Sequence, residues 1–203
     1  MKNAIKILII LSLAGWPLIS AGQKFELSEA ETAIAIKGTS SLHDWEMNLE
    51  AYSSAFQLNR EGSQIKGFDN VTFSCKTTDI KSEYSLMDKK TYAALKADVF
   101  PEIKFSGLSS SAMVTEDKTF SGNLKGKLNV AGETRDVTIP FKGTFADSNT
   151  INITASTDLK MSTFNITPPT AMLGTLKTGD QISVLLSLHF VYTEKQNARS
   201  TGD

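Results

Sequence analysis

Apolar and polar residues alternate along most of this chain. Trp45, Met47, Leu49 and Ala51 alternate with Glu46, Asn48 and Glu50, and Phe56 and Leu58 extend that run toward a turn at 59–62. Val71, Phe73 and Cys75 alternate with Thr72, Ser74 and Lys76. Leu124, Leu128 and Val130 are followed, across Ala131-Gly132, by Val137, Ile139 and Phe141. Ile151, Ile153 and Ala155 share another face, and Ile182, Val184, Leu186, Leu188, Phe190 and Tyr192 make the longest one. A period of two marks a half-buried strand, because successive side chains point to opposite faces. The short Gly-containing link at 131–134 predicts a hairpin. Pro140 has no N–H to give a ladder, so it predicts an edge, a bulge or an outward position.

The rhythm changes once, between residues 81 and 105. There Leu86, Tyr92 with Ala93, and Leu95 recur at helical spacing, and Asp88, Lys89, Lys90 and Lys96 fall elsewhere. The spacing predicts one helix within 85–97, with Ser85 as its cap and Asp88 completing a capping-box pattern. Pro101 holds Phe100 extended, so the helix must end before it. The fold class is therefore all-β with one short helix. Many short strands joined by turns fit a sandwich or an up-and-down barrel. A closed barrel of about eight strands has room for packed side chains or one small ligand.

The chain has 203 residues, and its start is not part of the alternating pattern. Lys2 and Lys6 precede an apolar run from Ile7, and Ser20-Ala21-Gly22 supplies small residues. A charged start, a short apolar run and a small-residue end predict a secretory signal peptide over 1–22, cut after Ala21 or after Gly22. Residues 23–193 would then form a single barrel domain, and 194–203, polar and without pattern, a disordered tail. The run is too short for stable membrane insertion. The expected compartment is outside the cytoplasm. Without Lys2 and Lys6 the balance is 19 basic against 22 acidic residues, or −3. No basic stripe appears, so nucleic acid is not an expected partner. Cys75 is the only cysteine, so no internal disulfide supports the fold and stability must come from the core.

Four segments, in order, carry a family resemblance. They are Gly38-Thr39-Ser40-Ser41-Leu42-His43-Asp44-Trp45; Ser85-Leu86-Met87-Asp88-Lys89-Lys90 with Ala94-Leu95-Lys96 and Phe100-Pro101-Glu102-Ile103-Lys104-Phe105; Gly122-Asn123-Leu124 with Leu128 through Val137; and Met161 and Phe164 through Pro168-Pro169 to Gly179-Asp180. Their order and spacing resemble the YceI-like family of exported, lipocalin-like proteins. The resemblance covers essentially all of the chain after residue 22. It implies an extended antiparallel β-barrel with a helix near one mouth, a long apolar cavity for a polyisoprenoid or quinone-like chain, and a periplasmic location. It brings no catalytic motif, and the only bound group it implies is that isoprenoid or other lipid.

On this reading the lining of the cavity is expected to include Trp45, Phe73, Phe105, Phe141, Phe164, Met172 and Leu186. Tyr52 and Lys177 are candidates for polar contacts at a mouth. The alternative is a structural or interaction module whose barrel is filled by side chains, and the sequence leaves a homodimer open. A lipid-modifying enzyme is the third reading. It rests on His43 and Asp44, where a carboxylate could orient an imidazole beside Ser40 or Ser41. The same Gly-Thr-Ser-Ser run is ordinary turn chemistry, which favours a local role for His43. His189 falls between Leu188 and Phe190 and is expected to face outward. Two distant histidines and one cysteine make a poor metal set. Cys75 shares a face with Val71 and Phe73 and is expected to be buried.

Overall fold

The computed structural model describes residues 23–28, 31–61, 64–110, 114–116, 118–171 and 174–193. The expected leader at 1–22, the expected tail at 194–203 and Met172 lie outside the described residues. The strands are β1 (Gln23–Leu27), β2 (Ala33–Ser40), β3 (Trp45–Leu49), β4 (Tyr52–Glu61), β5 (Gln64–Lys76), β6 (Ile80–Lys81), β7 (Glu102–Ser110), β8 (Val114–Glu116), β9 (Thr119–Val130), β10 (Glu133–Phe145), β11 (Thr150–Lys160), β12 (Thr170–Ala171) and β13 (Leu176–Tyr192). Helix α1 spans Ser85–Ala94, and 3₁₀ turns occupy Thr77–Asp79 and Met161–Phe164.

Eight strands close on themselves in the order β1-β4-β5-β7-β9-β10-β11-β13, and β1 returns to β13 through Phe25↔Tyr192 and Leu27↔Phe190. Every pairing is antiparallel, so of the sandwich and the barrel that the alternation left open the chain forms the closed barrel that the family resemblance implies. The long β13 changes neighbour along its length. Its end lies beside β1, and its stretch from Thr178 to Ser187 lies beside β2, which carries β3 and β6 outward from it. The run from Trp45 to Leu58 is two strands rather than one. It breaks at Glu50, whose N–H is taken by the Asp79 carbonyl, and β4 continues to Glu61 instead of turning at 59.

The hairpin forms as predicted. Ala131 and Gly132 make a two-residue loop between Val130 and Glu133, with φ of 51° and 83°. Both angles are positive, as the twist of a two-residue hairpin requires. A side chain on Gly132 would also strike the Phe100 ring, 2.5 Å from where its Cβ would sit. Pro140 sits where one ladder stops. The β10–β11 pairing runs from Phe145↔Ile151 to Phe141↔Ala155 and goes no further. Beyond that point the gap is filled by the Met161–Phe164 turn and its successor. Phe164 and Ile166 are 3% and 5% exposed and pack against Val137 and Leu159, while Arg135 Nε donates to the Thr163 carbonyl at 2.8 Å.

Helix α1 lies inside the predicted span, but its cap differs. Ser85 is the first helical residue and Tyr84 precedes it without a side-chain cap. The turn is held from outside the helix: the Ser82 N–H and hydroxyl both donate to Asp88 Oδ1, at 2.8 and 2.7 Å. The chain leaves the helix after Ala94 through Lys96, whose φ is 54°.

The two barrel ends differ in filling. At one end Phe25, Phe56, Phe68, Phe120, Phe141 and Phe190 form a continuous aromatic plug around Ile151, which is fully buried. Phe56 meets Phe190 edge-on at 4.8 Å and Phe68 meets Phe120 edge-on at 5.8 Å. Such pairs contribute about 0.5–1.5 kcal/mol each beyond the area they bury. The other end carries α1, the β9–β10 hairpin and the Met161–Phe164 turn, and there the interior is not filled.

Candidate functional site: an apolar barrel cavity

The inward positions of the strands enclose a cavity of about 670 Å³. That lies within the roughly 300–1,000 Å³ of sites that hold small molecules. Phe56, Phe68, Phe141 and Phe190 of the plug form its floor, and Leu124, Leu128, Ile153, Val184 and Leu186 line its wall. The opening lies between the 41–44 loop, α1, and the start of β13. Inward residues of β13 from Phe190 to Ile182 border it throughout, about 27 Å of strand at roughly 3.4 Å per residue. A barrel wholly filled by side chains is therefore not what this sequence builds: the plug fills one end only.

Trp45, Phe73, Phe105, Phe141, Phe164 and Leu186 all border the cavity, and so does Ala155. Met172 is not among the described residues. Two of the aromatic rings are held by glycine. The Trp45 ring covers Gly38, its cross-strand partner, where a Cβ would come within 2.2 Å of the ring. Trp45 Nε1 donates to the Thr39 carbonyl at 3.0 Å, so one edge of the indole is satisfied and its face is free for the lumen. The Phe105 ring lies over Gly126 in the same way, with 2.3 Å to a Cβ there.

Of the polar mouth candidates, Lys177 borders the opening and Tyr52 does not. Tyr52 packs against Phe73 with ring centroids 6.3 Å apart, on the flank of the barrel. Of the helix residues singled out by spacing, Leu86 and Leu95 border the cavity and Tyr92 does not. Met87, Thr91, Ala94 and Leu95 face the lumen, with the Thr91 hydroxyl 3.3 Å from Met47 Sδ. Tyr92 instead donates its hydroxyl proton to the Thr78 and Ile80 carbonyls, and Leu86 stands 64% exposed at the opening. Several lining residues were absent from the sequence-based set, notably Ile139, Ile153 and Leu188. Their strict alternation with polar neighbours was the signal that could have found them.

His43 and Asp44 do not form a catalytic pair. His43 Nδ1 is 2.6 Å from the backbone carbonyl of Asp44, not from its carboxylate, and the Ser40 hydroxyl donates to the His43 carbonyl at 2.7 Å. Ser40 Oγ in turn accepts from the Leu42 and His43 N–H groups at 3.2 Å. These bonds fix a tight turn, in which Ser40 and His43 also border the cavity. His189 faces outward, with Nδ1 2.7 Å from Asn152 Oδ1. Cys75 is buried against the lumen wall. Desolvation first and the Asp79 carboxylate second push its thiol up from 9.0 to about 12, so it is an inert hydrophobe at neutral pH. Among the described residues no group of three His, Cys, Asp or Glu side chains converges to hold a metal ion. No helix among them is long and apolar enough to cross a membrane.

Comparison with solved structures gives the same fold. Burkholderia cenocepacia BcnA superposes with a TM-score of 0.61 at 14% identity, covering 80% of this chain and 98% of its own. A polyisoprenoid-binding domain from Saccharophagus degradans, implicated in plant cell wall breakdown, gives 0.64 at 6% identity, covering 83% and 98%. The Campylobacter jejuni YceI protein gives 0.55 at 16% identity, covering 73% and 85%. No curated protein sequence matches. At these identities the likeness shows architecture alone. The sequence itself goes further, because the model of the YceI-like domain matches residues 24–190, nearly all of the barrel. With that match and this closed, hollow, helix-lidded barrel, the chain belongs to the YceI-like family.

Proposed function

We propose that this protein is a non-enzymatic binder and carrier of a long apolar lipid, a polyisoprenoid or quinone-like chain, working in the periplasm after removal of residues 1–22. The observation that carries this reading is the cavity, whose floor and wall are built from apolar side chains of nearly every barrel strand. The family, and a structural neighbour described as polyisoprenoid-binding, support the same reading. His43 Nδ1 lies against the Asp44 backbone carbonyl rather than its carboxylate, which supports binding without turnover.

The barrel would shield the tail from water and leave the headgroup at the opening. Burying methylenes is worth about 0.8 kcal/mol each. A chain of some tens of carbons thus offers on the order of 20 kcal/mol gross, near the practical ceiling for affinity. Immobilising so flexible a chain offsets much of that. Few polar groups border the deep lumen, so discrimination among tails should be weak.

The test is gentle purification from the native host followed by organic extraction and mass spectrometry. The expected result is a long isoprenoid or acyl chain in amounts comparable to the protein. Wild-type protein that comes out empty refutes the carrier. Intact mass from the same preparation should start at Gly22 or Gln23, and an uncleaved product in the membrane fraction refutes the export step.

A further inference from the structure

Large apolar side chains are exposed at few places on this barrel, and three of them ring one feature. Leu42, Tyr84 and Leu86 are 66%, 65% and 64% exposed, and all three border the cavity opening. They come from separate elements. Leu42 sits at the tip of the loop held by Ser40, Tyr84 stands just before α1, and Leu86 lies in its first turn. Nothing in the folding of the barrel requires them there, since burial of none of them contributes to the core. Contiguous exposed apolar groups on a soluble domain mark a surface that meets something.

Cations lie among them. Lys90 is one helical turn beyond Leu86, so the two share a face of α1. Its ammonium donates to the Thr170 carbonyl at 2.6 Å, which fixes it at the rim with donors to spare. Lys177 is the cross-strand partner of Thr170, and its backbone is bonded on both sides to Ser41, which joins it to the Leu42 loop. Neither lysine makes an ion pair among the described residues, and no Asp or Glu borders the cavity. The carboxylates nearby are engaged or lie outside the ring. Asp88 accepts from Ser82, and Asp180 accepts from the Ser162 N–H and hydroxyl with Lys160 beside it. Asp44 and Glu83 flank Leu42 and Tyr84 in the chain without bordering the opening.

Leucines and a tyrosine that project from a rim of unpaired lysines match a phospholipid surface. The apolar groups enter the acyl boundary, tyrosine favours the interface, and ammonium groups meet lipid phosphates. We propose that the open end of the barrel docks on an anionic phospholipid bilayer, with Leu42, Tyr84 and Leu86 inserted and Lys90 and Lys177 on the phosphates. The cavity then opens directly onto the lipid phase, and a tail can pass between bilayer and barrel without crossing water. This extends the lipid-carrier reading and rests on it only for that last step.

The experiment is co-sedimentation of the whole mature protein with vesicles of phosphatidylcholine, with and without phosphatidylglycerol. Wild type is expected to bind the phosphatidylglycerol vesicles and to weaken with salt. The double variant Leu42→Ser, Leu86→Ser should lose about tenfold or more in partitioning, as expected from removing several inserted methylenes. Lys90→Gln with Lys177→Gln should abolish the preference for phosphatidylglycerol. Leu108→Ser is the control, because Leu108 is 63% exposed but does not border the cavity, and it should bind like wild type. All five sites are exposed or half-exposed positions, so circular dichroism should confirm an unchanged fold. No wild-type binding, or equal loss in Leu108→Ser and in the double leucine variant, overturns the docking proposal. Protein that carries extractable lipid yet ignores vesicles also overturns docking and leaves the carrier standing. Protein that docks yet is lipid-free overturns the carrier alone.

Discussion

Replacing Ala155 by Trp should block the lumen at mid-depth. Ala155 is the smallest of the inward residues on β11, which run Ile151, Ile153, Ala155, Thr157 and Leu159. It faces the interior between Phe141 on one neighbouring strand and Leu186 on the other. Indole adds nine heavy atoms into a cavity of about 670 Å³ at the level where the phenylalanine floor begins. If it denies a bound tail even about five methylenes, the loss at about 0.8 kcal/mol each is about 4 kcal/mol, roughly a thousandfold in affinity. Ala155→Leu and Ala155→Phe should fall between. The assay is lipid extracted per folded protein from the native envelope, with urea unfolding of each variant to count folded material. Ser156→Trp is the control, because residue 156 is exposed on the outer face. Equal loading of wild type and Ala155→Trp, with both folded, would refute a tail that reaches this depth.

Ile151, fully buried in the plug, should cost about 2–5 kcal/mol when cut to Ala, whereas Leu124, half-buried because it borders open cavity, should cost less; equal losses in urea unfolding would mean the lumen is collapsed in solution. Cys75 should make stability fall at high pH. The folded thiol, raised to about 12 by burial and Asp79, keeps a proton that the unfolded chain releases above about pH 9. Its contribution is unchanged below that pH and is lost between about pH 9 and 12, at up to about 1.4 kcal/mol per pH unit. Wild type measured against Cys75→Ala at about pH 8 and about pH 10.5 should show the gap move toward the variant, and a pH-independent gap contradicts a shielded thiol. His43→Ala should leave lipid loading intact and lower stability by about 1 kcal/mol or less, since the imidazole bond among the described residues is to its neighbour's carbonyl; loss of a measurable turnover with the fold unchanged would revive the enzyme reading.

Much of the barrel was legible in local pattern. Alternation alone identified the inward faces of β5, β9, β10, β11 and β13, because a strand with one wet side must repeat every two residues. Ala131-Gly132 announced its hairpin through the positive φ that a two-residue loop demands. Pro101 and the 3.6-residue rhythm bounded α1, and Pro140 marked the end of a ladder. Several large lining residues were legible too, since Phe73, Phe105, Phe141 and Leu186 each lie on such an inward face.

What local pattern cannot carry is register between distant strands. A period of two says which face a residue takes, not which end of the barrel it reaches. Closure came from Phe25↔Tyr192, a pairing across almost the whole chain. That same register gathers phenylalanines from β1, β4, β5, β9, β10 and β13 at one end, so the other end stays hollow. Nor could spacing assign the faces of α1. The helix left Leu86 exposed at the lip of the opening and turned Thr91 inward because the opening it covers is set by β3 and the start of β13, not by its own sequence. Ser82 took the capping role expected of Ser85 for a similar reason: once β6 pairs with β3, Ser82 stands next to the Asp88 carboxylate. Most strand faces and the 131–132 turn were thus determined by local sequence, while the break at Glu50 was not. The cavity, its floor and its lip are properties of closure, which only long-range pairing decides.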